Sequence, residues 1–471
     1  MWIAAFIVIM HGLGLLSAFK AMMESRTAQG AIAWVIFLLT MPYVAVPAYW
    51  IFGRSRFQGY VKARDYVLKE GSDILDRLRE AMGRYRPPFD KRHAVSAAEA
   101  MADTPFTGNN EVELLIDGDA TFASILEGIE RAQKYVLFQF YIVRDDGLGR
   151  RIQRRLIDKA HAGVPVYFLY DEIGSHSLDA SYLRTLREAG VRISSFGSRQ
   201  GWANKFQLNF RNHRKVVVVD GREAWVGGHN VGDEYLGKDP AFGHWRDTHL
   251  RFAGPAVMGA QLSFAEDWYW ATGTTIPELD WTPRPSDRGD ASVLVIPTGP
   301  ADRMETAELM FLHAINVARE QLWIASPYFV PDDAVVFALQ LAGLRGVDVR
   351  ILIPDRPDHL IVWLSAFSYF AEAGKTGVRF YRYTEGFLHE KVMLIDRQVA
   401  TVGTANFDNR SFRLNFEITA VVEDAAFVEK VEAMFLDDFA HSELQPVDIM
   451  RHKPFWFKTL VRLARLAAPV Q

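Results

Sequence analysis

The sequence contains no cysteine. That excludes disulfides, thiol catalysis and thiolate metal sites, and it is compatible with any redox compartment. There is no excess of positive charge either: the formal net charge is −4, so the global basic field that marks a nucleic-acid binder is missing. No HExxH or comparable metal-ligand spacing occurs, so neither a metal nor a cofactor is expected. Charge is also missing locally. Met1–Phe19 carries no formally charged side chain, with His11 its one ionisable group, and residues 31–53 form a second uncharged stretch, AIAWVIFLLTMPYVAVPAYWIFG.

A bilayer core takes roughly 20 apolar residues as helix, so each stretch is long enough to span. The first has no basic leading region and a second span follows at once, unlike a cleaved signal peptide. Together they predict a transmembrane hairpin over 1–53, kinked by Pro42 and Pro47. Tyr43, Tyr49, Trp50 and Phe52 gather toward its end, where interfacial aromatics are expected. Lys20 and Arg26 lie in the connecting loop, whereas Arg54, Arg56, Lys62 and Arg64 follow the second span. By the positive-inside rule the body is expected on the cytoplasmic side.

The 471 residues leave room for two or three domains at ~100–200 residues each. Residues 54–105 are charged and helical in pattern, broken at Pro87-Pro88, and read as a connector. From Glu111 apolar strands alternate with amphipathic helices, the pattern of an α/β fold. That pattern occurs twice. VELLI from Val112 corresponds to VLVI from Val293, and the helix of Ile125 and Ile129 to that of Leu312 and Ile315. YVLFQFYIV matches LWIASPYFV, and GVPVYFLYD matches GVDVRILIPD. A repeat this long predicts two packed copies of one unit, over 106–285 and 286–450, divided near the Pro- and Asp-rich TPRPSDRGDAS.

Each copy carries one unusual strand: NHRKVVVVD ending at Asp220, and HEKVMLID ending at Asp396. Side chains alternate along a strand, so His213 and Lys215 share a side, as do His389 and Lys391. Glycines and an asparagine follow, Gly227-Gly228-His229-Asn230 and Gly403-Thr404-Ala405-Asn406. One such strand could be a core histidine beside a snorkelling lysine. Two at identical spacing predict one cleft built by both copies. The residue types suit a phosphodiester. Lys215, Lys391, Asn230 and Asn406 can donate to non-bridging oxygens. One imidazole can attack phosphorus and the other can act as acid and then base.

These residues resemble the phospholipase D superfamily, whose signature H-x-K-x4-D followed by G-[GST]-x-N is present twice. NFRNHRKVVVVDGREAWVGGHNVGDEYLG, HWRDTHLRFAGPAV and HEKVMLIDRQVATVGTANFDNRSFRLNFE resemble bacterial cardiolipin synthases more closely, along nearly the whole chain. The resemblance implies two pseudo-symmetric phospholipase D-like α/β domains behind the hairpin, in the bacterial cytoplasmic membrane. It implies phosphatidyl transfer between two phosphatidylglycerol molecules through a phosphatidyl-histidine. His213 would be the nucleophile and His389 the acid/base, an order that the two near-identical motifs leave open. Water, phosphatidylethanolamine or another alcohol are the alternative acceptors. Glu417, in LNFE, matches the family's residue that orients a motif histidine, and Asp247, in HWRDTH, is the candidate for the first half. Asp220 and Asp396 complete the motif, with a role in strand and loop geometry more than in phosphate contact. Gly228 departs from the family's Ser, which removes a hydroxyl donor. His229 and His244 are not assigned to catalysis. Residues 451–471 carry five basic residues, no acid, and the aromatic run Phe455-Trp456-Phe457, the composition of an interfacial helix drawn to anionic phospholipid. Oligomeric state is not legible, because both half-sites lie in one chain.

Overall fold

A computed structural model describes residues 1–25, 27–53, 57, 60–61, 72–88, 92–197 and 209–468. The N-terminal hairpin begins with the helix Trp2–Glu24, the one described helix long and apolar enough to cross a membrane. It runs past the expected loop start at Lys20, which is ion-paired with Glu24 one turn on (3.7 Å).

The second stretch is not one continuous span. It forms two helices, Ala28–Thr40 and Pro42–Phe52, which meet at Met41. Proline has no N–H and its ring crowds the carbonyl four residues back; here that carbonyl belongs to Leu38. Gly14 of the first helix packs on it: a Cβ there would lie 2.7 Å from the Leu38 oxygen. A small residue thus lets the first helix approach the break. Pro47 is accommodated inside its helix without a break. Ser17 accepts from the Trp50 indole (3.2 Å), and Ala21, Leu38, Ala45 and Tyr49 close the hairpin's small core. Of the flanking charges that set orientation, Arg26, Arg54, Arg56, Lys62 and Arg64 lie outside the described residues.

Between hairpin and body, the described part of 54–105 contains the helices Ser72–Gly83 and Arg92–Ala102. Phe57 and Tyr60 are already core residues. The Phe57 ring packs on Phe210, Trp270 and Phe416, and the Tyr60 hydroxyl donates to Asp267 (2.9 Å).

Among the described residues, one sheet of sixteen strands runs through both repeats. Its two central members, Thr107–Ile116 and Ala291–Thr298, pair antiparallel across the repeat boundary. Outward from each, the order is the same. In the first copy Thr248–Ala253, Glu223–Gly227, Val216–Val219, Val136–Phe140, Val166–Asp171 and Arg192–Phe196 follow; in the second, Asn415–Glu423, Val399–Gly403, Val392–Ile395, Gln321–Ala325, Asp348–Pro354 and Arg379–Tyr383. The outer three in each copy are parallel to one another. Alternation then sorts the side chains. Val216, Val218, Val392 and Leu394 enter a core shared by both copies, which is covered by the helices Val257–Thr272 and Ala425–Ala440. Val217 and Val219 enter an outer core of the first copy, and Met393 and Ile395 one of the second.

The C-terminal helix Phe455–Leu466 lies on the helix Leu360–Gly374. Phe457 meets Phe367 and Trp363, and Arg465 pairs with Glu372 (3.0 Å).

Candidate active site

The regular part of each motif strand begins after the lysine, at Val216 and at Val392. Both strands run antiparallel to a parallel neighbour, Val136–Phe140 and Gln321–Ala325. His213 and His389 therefore emerge beyond the carboxyl ends of the parallel strands, where open α/β sheets bind ligands.

Each motif is clamped to the opposite copy. Arg211–Asn212 pairs in parallel with Asn415 and Phe416, and the His213 N–H donates to the Phe416 carbonyl (2.9 Å). Phe387–Leu388 pairs in parallel with Trp245–Arg246, and the His389 N–H donates to the Arg246 carbonyl (2.7 Å). The residues after Phe416 and Arg246 are Glu417 and Asp247. The carboxylates are thereby exchanged: His213 Nδ1 lies 2.9 and 3.0 Å from the Glu417 oxygens, and His389 Nδ1 lies 2.7 Å from Asp247 Oδ2. The sequence reading placed Asp247 with the first half; it lies in that half and contacts the histidine of the other.

Glu417 is fully buried and accepts three further hydrogen bonds, from Thr404 Oγ1 (2.6 Å), Ser411 Oγ (2.8 Å) and Asn415 Nδ2 (3.1 Å). Asp247 accepts from the Thr248 N–H (2.8 Å). Gly228 now has a structural reason. A Cβ there would lie 2.0 Å from Asp247 Oδ1, so the aspartate occupies the space that a side chain would fill. In the other copy, the longer Glu417 leaves room for Thr404.

Both lysines are buried. Lys215 Nζ donates to the His213 carbonyl (2.6 Å) and stands 5.4 Å above the Tyr141 ring. Lys391 Nζ donates to the His389 carbonyl and also lies 2.9 Å from His389 Nδ1. Each ring feels the charge of the partner copy's lysine, and His389 also that of His213, so the two half-sites lie close together. The asparagines differ. Asn230 is engaged by the protein, accepting from the Ile142 N–H (3.1 Å) and donating to the Tyr235 hydroxyl (3.3 Å). Asn406 has a buried Oδ1 with no partner among the described residues, and it lines the cleft.

Asp220 and Asp396 lie apart from the histidines and lysines of their motifs. They end their strands at the far side of the sheet. Asp220 accepts backbone N–H groups of Gln133, Lys134 and Tyr135; Asp396 accepts those of Arg319, Glu320 and Gln321. Both have positive φ, +57° and +52°, a conformation that Asp tolerates better than most side chains. Seven residues of near-extended chain put them roughly 20 Å from the histidines. His244 pairs with Asp117 (2.8 Å), and His229 is buried with its Nδ1 3.2 Å from His249 Nδ1.

Burial pushes the His213 imidazole down to about 4, opposed by Glu417 and assisted by the lysine charges. Burial also raises the Glu417 carboxyl, but contact with His213 and the field of Lys215 outweigh it and hold the group below its ordinary value. The consistent state at neutral pH is a carboxylate accepting from Nδ1–H, which leaves Nε2 with a free lone pair. His389 is pushed well below its ordinary value by burial and then by Lys391 and Lys215. Lys391 falls to about 8 and Lys215 well below its usual value, both through burial.

A cleft of 590 Å³ opens from His213 and Asn406. Arg211 and Arg410 line it, the latter held by Asn209 (2.9 and 3.1 Å), and beyond them come Leu360, Ile361 and Val362. Sequence reasoning missed Ser411 and Asn415, although both lie in the stretch that carries Glu417. It also missed the rim at 358–362, which carries no motif.

The family described as "Cardiolipin synthase, PLD-like domain" matches residues 125–239 and 311–439, and one described as "Phospholipase_D-nuclease N-terminal" matches 1–54. A protein named cardiolipin synthase A from Pseudomonas fluorescens Pf-5 is 48% identical over 98% of this chain and 97% of its own. Another of that name from Pseudomonas aeruginosa LESB58 is 49% identical over 97% and 94%. A solved phosphatidylserine synthase from Haemophilus influenzae superposes with a TM-score of 0.62 at 14% identity, covering 80% of this chain and 100% of that one, which concerns the fold alone.

Proposed function

The chain belongs to the cardiolipin synthase family of phospholipase D-like enzymes, and from that premise we propose that it joins two phosphatidylglycerol molecules into cardiolipin and glycerol. The reaction class is phosphatidyl transfer, and the family acts on phospholipids. One observation supports the finer reading: two buried histidines, one from each repeat, are each backed by a buried carboxylate from the opposite repeat.

His213 is the nucleophile in this reading. Its Nδ1 faces Glu417 alone, so Nε2 is free to attack. His389 Nδ1 donates to Asp247 in this reading and has Lys391 Nζ 2.9 Å away, which sets that ring apart. His213 Nε2 bonds to phosphorus as the bond to the glycerol oxygen breaks, and His389 delivers a proton to that oxygen. In the second half-reaction a hydroxyl of the second phosphatidylglycerol loses its proton to His389, attacks phosphorus, and displaces His213. Lys215, Lys391 and Asn406 stabilise the non-bridging oxygens. Burial and then the field of the two lysines disfavour the protonated form of His389. An anionic phosphodiester between them offsets that field and favours the proton.

The N-terminal helix makes the chain membrane-associated. The hairpin reading adds that the second, broken stretch returns across the bilayer and that the body is cytoplasmic, supported by Arg54, Arg56, Lys62 and Arg64 after it.

Purified full-length protein in phosphatidylglycerol vesicles is expected to produce cardiolipin and glycerol in equal amounts. Phosphatidic acid alone would replace this reading by hydrolysis. A product appearing only with added phosphatidylethanolamine would change the acceptor. Retention of a trapped phosphatidyl adduct by His389→Ala but not His213→Ala would support the assigned order, and the reverse would invert it.

A further inference from the structure

The C-terminal helix Phe455–Leu466 has three faces. Phe457, Val461 and Ala464 are buried against the body. Lys458, Arg462 and Arg465 form a basic flank. On the other flank Trp456, Leu460 and Leu463 are exposed, with Leu463 at 56%, and Phe455 and Leu466 at the two ends are more exposed still. An ordinary packed surface helix has one apolar face; this one has a second, which none of the described residues covers.

That face leads to the cleft. Ala467, just after the helix, lines it together with Leu360 and Ile361. Those two leucine-type side chains open the helix Leu360–Gly374 and are themselves 60% and 57% exposed. Apolar surface therefore continues from the outside of the body to the mouth of the cleft, with Arg211 and Arg410 between that mouth and His213.

The N-terminal hairpin is tethered to the same region. Phe57 is packed on Phe210 and Phe416, the neighbours of Arg211 and Glu417. Phe57 follows Gly53, at the end of the hairpin, by four chain steps, a reach of at most about 14 Å. A body tethered so shortly beside its own cleft holds that cleft near the headgroups.

We propose that the C-terminal helix and the first turn of Leu360–Gly374 form a rim seated in the anionic leaflet, and that the acyl chains of the substrate enter the cleft sideways over Leu360 and Ile361. This rests on the reading of the substrate as a diacyl phospholipid. The basic flank suits the leaflet's negative surface, where each Lys or Arg adds attraction, and the apolar flank suits the acyl boundary below it.

Because the chain has no cysteine, single-cysteine variants label at one place. Ile361→Cys, Leu463→Cys and, as a control on the exposed surface of the first repeat, Arg154→Cys would each carry a polarity-sensitive fluorophore. The full-length protein would sit in vesicles of phosphatidylglycerol and phosphatidylcholine. Positions 361 and 463 are expected to be quenched by a lipid-borne quencher and shielded from aqueous iodide, with 154 the reverse. If 361 and 463 respond to iodide as 154 does, the rim is not in the leaflet and the proposal falls. This readout needs no turnover, so it stands apart from the assignment of the reaction.

A second arm uses Leu460→Asp with Leu463→Asp. Turnover of long-chain phosphatidylglycerol in vesicles is expected to drop about tenfold or more, while turnover of water-soluble dihexanoyl phosphatidylglycerol stays within about twofold. Equal losses on both substrates would overturn the sideways route. Wild-type protein that turns over neither lipid would refute the proposed reaction instead.

Discussion

Threonine at position 228 is expected to disable the second half-site, and a compensating change at 247 to restore it. A Cβ on Gly228 would stand 2.0 Å from Asp247 Oδ1 and 2.7 Å from its other oxygen and carboxyl carbon. Fully buried Asp247 cannot swing into solvent, so Gly228→Thr must drive its carboxylate off His389 Nδ1, now 2.7 Å away. A hydrogen bond to a charged group contributes about 1.5–3 kcal/mol. At ~1.4 kcal/mol per tenfold, that is a loss of about 10- to 150-fold in turnover, with about 1–3 kcal/mol of overpacking added to the cost in stability. The other copy shows the remedy, because there Thr404 donates to the longer Glu417 at 2.6 Å. Asp247→Glu on the Gly228→Thr background copies that pair and should recover most of the lost rate. Cardiolipin formation in phosphatidylglycerol vesicles gives the rate and thermal melting gives the stability. Wild-type turnover by Gly228→Thr, or a double variant no faster than the single one, would refute the reasoning.

Glu417→Gln keeps an acceptor for His213, since Thr404 can turn to accept from the new amide, but it removes the charge. Turnover should fall by about 10- to 100-fold with little change in melting temperature, because the hydrogen bond is no longer charge-assisted; unchanged turnover would remove Glu417 from the site. Lys391 has its pKa lowered to about 8, so its charged form is lost as pH rises through that value. Rate–pH profiles should show an alkaline limb near there, which Lys391→Arg moves upward; a limb that stays put belongs to another group. Asp396→Ala should lower the melting temperature through three released backbone N–H groups while turnover per folded molecule stays within about threefold, since each lost bond to the carboxylate acts on stability. A large loss of turnover without a loss of stability would return Asp396 to the catalytic set.

The repeat was legible because α/β periodicity and the doubled motif are local patterns; the seven-strand order that the two copies share is seen only in the fold. What the sequence did not disclose was long-range. The exchange of Glu417 and Asp247 depends on Asn415 pairing with Arg211 and on Trp245 pairing with Phe387, contacts between segments far apart in the chain. Hydropathy read residues 31–53 as one span because it counts charge and not backbone hydrogen bonds; Pro42 breaks the helix regardless. The cleft rim at 358–362 has apolar and polar residues in no repeated pattern, so only its position beside His213 gives it meaning.

The two copies also treat the residue between histidine and lysine in opposite ways. In the first it is Arg214, which donates to Asp267 on the covering helix (2.9 Å) and to the Glu417 carbonyl (3.0 Å), with Phe416 beneath it. In the second it is Glu390, and the arginine has moved to the place held by Phe416 in the first: Arg246 reaches Glu390 (2.9 Å) and Asp438 (2.7 Å) on the matching helix. A guanidinium therefore lies buried beside both motifs, tied to an aspartate of the helix beneath, although neither the sequence position nor the strand is kept. Burial, moderated by Arg246, pushes the Glu390 carboxyl up, and Arg246 is also held by Asp438 and by Asp117 (3.2 Å). The fold thus conserves charge at the centre while allowing the two half-sites to differ, which a pair of histidines needs if one is to attack and the other to carry the proton.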